Sequence, residues 1–255
     1  MNIDTINALI AAMTSLLVAL LSHMLIRQKE RKQLSEQENV FLSRNYINPM
    51  RFMLAENYYR IKEIMDESDK HGRNRKILII EDASEILDKN ECWFAEDGCY
   101  LLSSCYITGC LLAYMEKIRS GAPFFQMSGQ KDTQLIGLIN RIVIDFSSGL
   151  NIYYVIQMDI GKHFCINETG EVISYKEFCQ WIRDEKNFKW YKSLIDYYLR
   201  IGRGEHENAL QLLEHIKQLS GFLDNMVKGG DSIRQKLIAE RDGKQQLCRD
   251  SRGHN

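Results

Sequence analysis

The feature that most constrains this chain is the stretch Ala8 to Ile26, ALIAAMTSLLVALLSHMLI, which carries no Asp, Glu, Lys or Arg. At a helical rise of about 1.5 Å per residue, a stretch of this length just crosses the hydrocarbon core of a bilayer. Its flanks discriminate between a cleaved signal peptide, a buried core helix and a retained anchor. A signal peptide carries basic residues before its apolar core. Here the leader MNIDTIN has Asp4 and no Lys or Arg, whereas Arg27, Lys29, Arg31 and Lys32 follow the stretch. By the positive-inside rule this places the N-terminus outside and everything beyond Arg27 in the cytoplasm, as in a single-pass signal-anchor protein of the cell membrane. The expected organisation is an outside leader and transmembrane helix over 1–26, a basic juxtamembrane helical stalk over 27–47, a cytosolic α-helical domain over 48–227 and a polar, disordered tail over 228–255.

Within the span, Ala11, Ser15, Ala19 and His23 recur at four-residue intervals and share one helix face. Small residues let two backbones approach closely, so this face is a candidate homo-oligomer seam, with His23 an ionisable group near its cytoplasmic end. The alternative, preferred for His23, is a lipid-facing helix whose imidazole reaches toward the headgroups. Arg27, Lys29, Arg31 and Lys32 are expected at the membrane surface among anionic headgroups. The lipid bilayer is therefore the first predicted partner.

For the rest of the chain, only two prolines, Pro49 and Pro123, interrupt helix formation, which suits a mainly α fold arranged as a bundle. A net charge of −1 argues against a chain built mainly to bind nucleic acid. The seven cysteines all follow the span and show no repeated CxxC spacing, so they are expected as free thiols in a reducing compartment.

Asn48 and Pro49 read as a helix start, a capping side chain followed by proline in the first turn. Met50, Met53, Leu54, Tyr58, Ile61, Ile64 and Met65 then keep helical spacing to about Glu67. The run ILIIEDASEIL over 77–87 is ambiguous, with helix favoured over a strand at Ile77 to Ile80. A long apolar segment from Ala95 to Arg119 reads as a central helix buried on most sides. Asp132 to Ser147 forms an amphipathic helix ended by Gly149. Residues 152–166 fit strand or helix, and the turn-like NETG over 167–170 could join short strands over 154–166 and 171–173. Ser174 and Glu177 have capping-box spacing, a helix after Asp184 stops at Gly202, and the stripe from Ala209 to Met226 continues until Gly229 and Gly230.

The order of the segments NPMRFMLAENYYRI, YLLSSCYITGCLLAYMEKI, QMDIGKHF, YKEFCQWI and LQLLEHIKQLSGFLD resembles a group of uncharacterised bacterial proteins with one N-terminal transmembrane helix and a cytosolic α-helical domain. The resemblance covers 45–224. It implies helix for 152–166 and a bacterial inner membrane, and brings no activity with it.

Spacings that mark phosphate loops, zinc sites, nucleophile elbows, paired CxxC and EF-hand loops do not occur. Three weaker constellations remain. Cys92, Cys99, Cys105 and Cys110 with His163 and Cys165 offer soft metal ligands, against which stands their irregular spacing and the apolar setting of Cys105 and Cys110. Arg200 followed by His206 resembles the motif of the HEPN ribonucleases, which would use both side chains at a scissile phosphate. The intervening IGRGE reads as a turn rather than a helix. Trp181, Phe188, Trp190, Tyr191, Tyr197 and Tyr198 could line a ligand pocket, although helical spacing makes them core.

The reading that results is a membrane protein with a helical domain that binds a cytosolic protein or small ligand, as scaffold, sensor or effector. No cofactor and no metal are implied, and enzymatic activity is left open, with no catalytic motif to favour it. The alternatives are a membrane-tethered hydrolase using Arg200 and His206, and an oligomeric membrane effector triggered by a signal.

Overall fold

Apolar side chains at three- and four-residue spacing bury as stripes, and the structure is built from such stripes. The computed structural model describes residues 3–121, 130–165 and 171–226, without the side chains of 3–12, 19, 35, 38, 39 and 42. The chain divides into two compact units, Met1–Arg44 and Asn45–Asn255. The first is one helix, α1 (Ile3–Leu42), which runs through both the apolar stretch and the basic segment. The second contains α2 (Asn48–His71), α3 (Glu91–Ala95), α4 (Cys99–Gly121), α5 (Lys131–Ile144), α6 (Tyr154–Phe164), α7 (Tyr175–Ile182), α8 (Glu185–Gly202) and α9 (Glu207–Met226). The fold is mainly α, with no strand among the described residues.

Helix α4 is the centre of the second unit, with α2, α6, α7 and α8 packed around it. Its antiparallel contact with α6 is close because both helices carry glycine where they cross. A Cβ on Gly109 would overlap the Phe164 ring, and one on Gly161 would lie 2.9 Å from the Leu112 carbonyl oxygen. Phe164 is fully buried and meets Tyr106, Phe178 and Tyr191 with ring centroids 5.7, 5.5 and 6.4 Å away. This aromatic cluster joins α4, α6, α7 and α8. Phe188, Tyr191, Tyr197 and Tyr198 are core, whereas Trp190 lies 42% exposed.

A second helix pair joins this core through α2. Helix α2 runs antiparallel to α9, tied by Arg51 to Asp224 at one end and by Asp69 to His206 at the other. Buried polar groups connect the layers. The Asn57 amide donates to the carbonyls of Met53 and Ile107 at 2.8 and 3.1 Å. Its oxygen accepts from the Thr108 hydroxyl, which also bonds the Tyr198 hydroxyl, both at 2.7 Å. These bonds link α2, α4 and α8 in one satisfied network, which specifies how the three helices register.

Helix α5 pairs antiparallel with α9 and ends in a π-turn, Asp145–Gly149. There the carboxylate of Asp145, 3% exposed, meets His215 Nδ1 at 2.6 Å. Burial pushes the Asp145 carboxyl above its ordinary value, against the opposing hydrogen bond and charge of His215. A group whose folded pKa is raised contributes stability at low pH that is lost as pH rises through the raised value. Wild type should therefore lose stability relative to Asp145→Asn as pH climbs from below about 4. Denaturant titrations of the two proteins across the acid range check this, and a pH-independent difference would refute it.

Several segments fold differently from their sequence reading. Residues 77–82 bend instead of forming a helix, because the Asn74 side chain accepts the amides of Lys76 and Ile77 while Ile77 and Ile80 are buried. Only Ala83–Asp88 is helical, as a 3-10 turn opened by a capping box between Asp82 and Glu85. Residues 154–164 are helix α6, not a strand, since Gln157, Ile160, Gly161 and Phe164 bury at helical spacing. One antiparallel bridge, Cys165 to Val172, is all that the suggested strand pair contributes among the described residues. Asn48 does not cap α2. The preceding Ile47 is already helical, and the Asn48 side chain accepts from Arg51 instead. The box at Ser174 and Glu177 forms. Gly229, Gly230, the tail over 228–255 and Cys248 lie outside the described residues.

Candidate functional site

Helix α8 buries Tyr191, Leu194, Ile195 and Tyr198, which leaves Lys192, Asp196, Arg200 and Arg203 along its other side at four- and three-residue steps. Against this face lie the bent segment before the 3-10 turn, with Glu81 and Asp82, and the turn after α5, with Leu150 and Asn151. Together they enclose an open groove of about 370 Å³. Asn151 holds its place in the turn with a left-handed φ of 59°, a conformation that asparagine tolerates better than most residues.

The charges in this groove are not equivalent. Lys192 Nζ is paired with the Asp196 carboxylate at 2.7 Å. Arg200 Nη2 instead donates to the Leu150 carbonyl at 2.7 Å, and Arg203 Nη2 to the Glu81 carbonyl. Both guanidiniums are thus oriented by neutral acceptors. The Asp82 carboxyl is held below its ordinary value by the Ser84 hydroxyl and amide that donate to it, with Lys192 and Arg203 adding positive potential.

Other recesses are less suited to a charged ligand. A groove of about 610 Å³ between α5 and α9 has one ionisable side chain, Arg141, already bonded to Gln218. A groove of about 300 Å³ between α2 and α9 mixes Lys62 and Lys217 with Asp66, Asp69 and Glu214, and Lys217 pairs with Glu214.

Arg200 and His206 are held by different elements. Arg200 lines the α8 groove, while His206 sits beyond it, with Nδ1 3.2 Å from Asp69 and Nε2 3.1 Å from the Ile201 carbonyl. His206 is not among the groove residues. The partners of Arg200 in the groove, Lys192, Asp196 and Arg203, were legible as a charged stripe at helical spacing. The contributions of Glu81, Asp82 and Asn151 come from distant turns and carry no such signal.

Cys92, Cys99, Cys105, Cys110, Cys165 and Cys179 are free, with Cys105, Cys110 and Cys179 buried. Burial pushes the Cys110 thiol up to about 12 and the Cys179 thiol to about 11, so neither is a ready thiolate at neutral pH. Among the described residues no three His, Cys, Asp or Glu side chains are placed to hold a metal ion.

In the first unit Met13, Leu16 to Val18, Leu20, Leu21 and Met24 to Ile26 are each between 53 and 67% exposed. Ser15 and His23 are exposed as well, and so are Arg27, Lys29, Arg31 and Lys32. The side chains of Ala11 and Ala19 lie outside the described residues. Among the described residues no single helix is long and apolar enough to cross a membrane. The pair Lys131–Gly149 and Tyr154–Phe164 reaches that length only jointly, across a 118° bend, and supplies Ile139, Ile142, Phe146, Ile160 and Phe164 to the core. No family model, curated protein or solved structure is significantly similar to the chain.

Proposed function

We propose that the chain is a single-pass protein of the bacterial inner membrane whose α1 anchors a cytoplasmic helical domain, and that this domain works by binding a ligand in the α8 groove, as a sensor or scaffold. One observation carries the anchor. Among the described residues from Met13 to Ile26, the large apolar side chains of α1 are exposed on every side of the helix, not along one stripe. A stripe is buried by packing against another helix, whereas an apolar surface all round is buried by lipid. The four basic side chains that follow suit the anionic inner leaflet.

Alkaline carbonate extraction of membranes tests the anchor. Full-length protein should stay in the pellet, and a chain lacking residues 1–26 should be released. Orientation is read from Cys92, an exposed thiol in the second unit, in a Cys248→Ser background. A membrane-impermeant maleimide should label Cys92 only after spheroplasts are permeabilised. Carbonate release of the full chain would overturn the anchor, and labelling in intact spheroplasts would overturn the orientation.

A further inference from the structure

We infer that the α8 groove binds a phosphorylated polyol, with the phosphate on Arg200 and Arg203 and the hydroxyls on Glu81 and Asp82. The inference rests on the reading of this groove as the ligand site. A guanidinium has five N–H donors in a fixed fork that matches phosphate oxygens. Arg200 and Arg203 spend one nitrogen each on a backbone carbonyl, which orients the fork without neutralising it. Lys192, by contrast, is already matched by Asp196 at 2.7 Å. Arg200 and Arg203 are therefore the two groove cations whose hydrogen-bond partners here are neutral carbonyls, with the Asp82 carboxylate near Arg203.

The carboxylates of the bend beside Arg203 limit what the rest of the ligand is. Glu81 and Asp82 are exposed carboxylates that only accept hydrogen bonds when ionised. They repel a second anionic group and suit hydroxyl donors. A bare polyanion therefore meets both the guanidiniums and the neighbouring carboxylates, whereas a phosphate carrying vicinal hydroxyls offers acceptors to the first and donors to the second. The apolar lining is Leu150 and Leu199, with no aromatic ring to sandwich a nucleobase. At about 370 Å³ the groove suits a ligand of sugar-phosphate size. Such a group reaches a membrane-anchored domain either as a free sugar phosphate or as the headgroup of an inositol lipid.

Isothermal titration of the full chain in phosphatidylcholine nanodiscs tests this, with ribose 5-phosphate, ribose, inorganic phosphate and citrate as probes. Ribose 5-phosphate should bind at least about tenfold more tightly than each of the other three, the loss expected when one set of charged or hydroxyl contacts goes unmade. Arg203→Gln and Arg200→Gln should each weaken it about tenfold or more, and Glu81→Gln should weaken ribose 5-phosphate while leaving inorganic phosphate unchanged. Thermal unfolding of each variant shows whether it is folded, and Glu81→Gln keeps the test decisive if an arginine variant is not. In nanodiscs containing phosphatidylinositol, loss of ribose 5-phosphate binding identifies the headgroup as the source, and unchanged binding identifies the free sugar phosphate. Absent binding in both kinds of nanodisc, or binding indifferent to Arg200, Arg203 and Glu81, overturns the inference. Citrate or inorganic phosphate binding as tightly as ribose 5-phosphate, in an arginine-dependent manner, overturns the ligand class while leaving the groove as a site. The anchor is judged separately, by extraction.

Discussion

Asp224→Ala should lower the unfolding free energy of the helical domain by about 3–5 kcal/mol, the cost of leaving one member of a buried ion pair without its partner. Arg51 is 4% exposed and both its Nε and Nη2 donate to Asp224 Oδ1, at 2.8 and 2.5 Å. Its remaining partner is the neutral Asn48 side chain at 3.2 Å. Truncating Asp224 therefore leaves a guanidinium that can neither lose its proton nor reach water without opening the α2–α9 contact. Removing both charges has a different outcome. Arg51→Met combined with Asp224→Leu should recover most of the loss, because desolvating the pair costs nearly as much as its attraction returns. Thermal unfolding followed by circular dichroism in detergent reads both effects, with a fall in Tm on the order of 10 °C for Asp224→Ala. Equal destabilisation by the single and double variants would show that helix packing, not charge, is what Asp224 contributes.

Phe164→Ala should cost about 3–5 kcal/mol, from lost burial and the cavity left in the aromatic cluster. The same contact makes a sharper prediction from the other side. Gly109→Ala introduces a methyl group into space the Phe164 ring fills, and overpacking of this kind costs about 1–3 kcal/mol. With Phe164 truncated, that space is vacant. Gly109→Ala should then be neutral or stabilising in the Phe164→Ala background, a reversal of sign that a double-mutant cycle measures directly. Simple additivity of the two substitutions would mean that α4 and α6 do not meet as described.

The α8 groove shows where sequence reading reaches its limit. Arg200 and His206 have the sequence spacing of a ribonuclease motif, but a helix end and a turn separate the two, and each is bonded elsewhere. The side chains that do surround Arg200 come from three places: its own helix, the bend at Glu81 and Asp82, and the turn at Leu150 and Asn151. Only the first of these is periodic. A site assembled from turns far apart in the chain leaves no local pattern, since turn residues answer to backbone geometry and not to a repeating face.

What the sequence by itself determined is the set of elements whose spacing is long and regular. The stripes of α2, α4, α5, α8 and α9, the capping box before α7 and the apolar stretch within α1 are local facts, decided by which side chains share a helix face. Tertiary structure alone decided the ambiguous segments. Residues 77–82 bend because Asn74 captures their amides and Ile77 packs beside Gly202, and 154–164 coil because Gly161 lets α6 close onto Leu112. Both are short apolar runs in which strand and helix bury the same residues almost equally well, so intrinsic preference was too weak to choose. The choice fell to contacts made by residues distant in the chain.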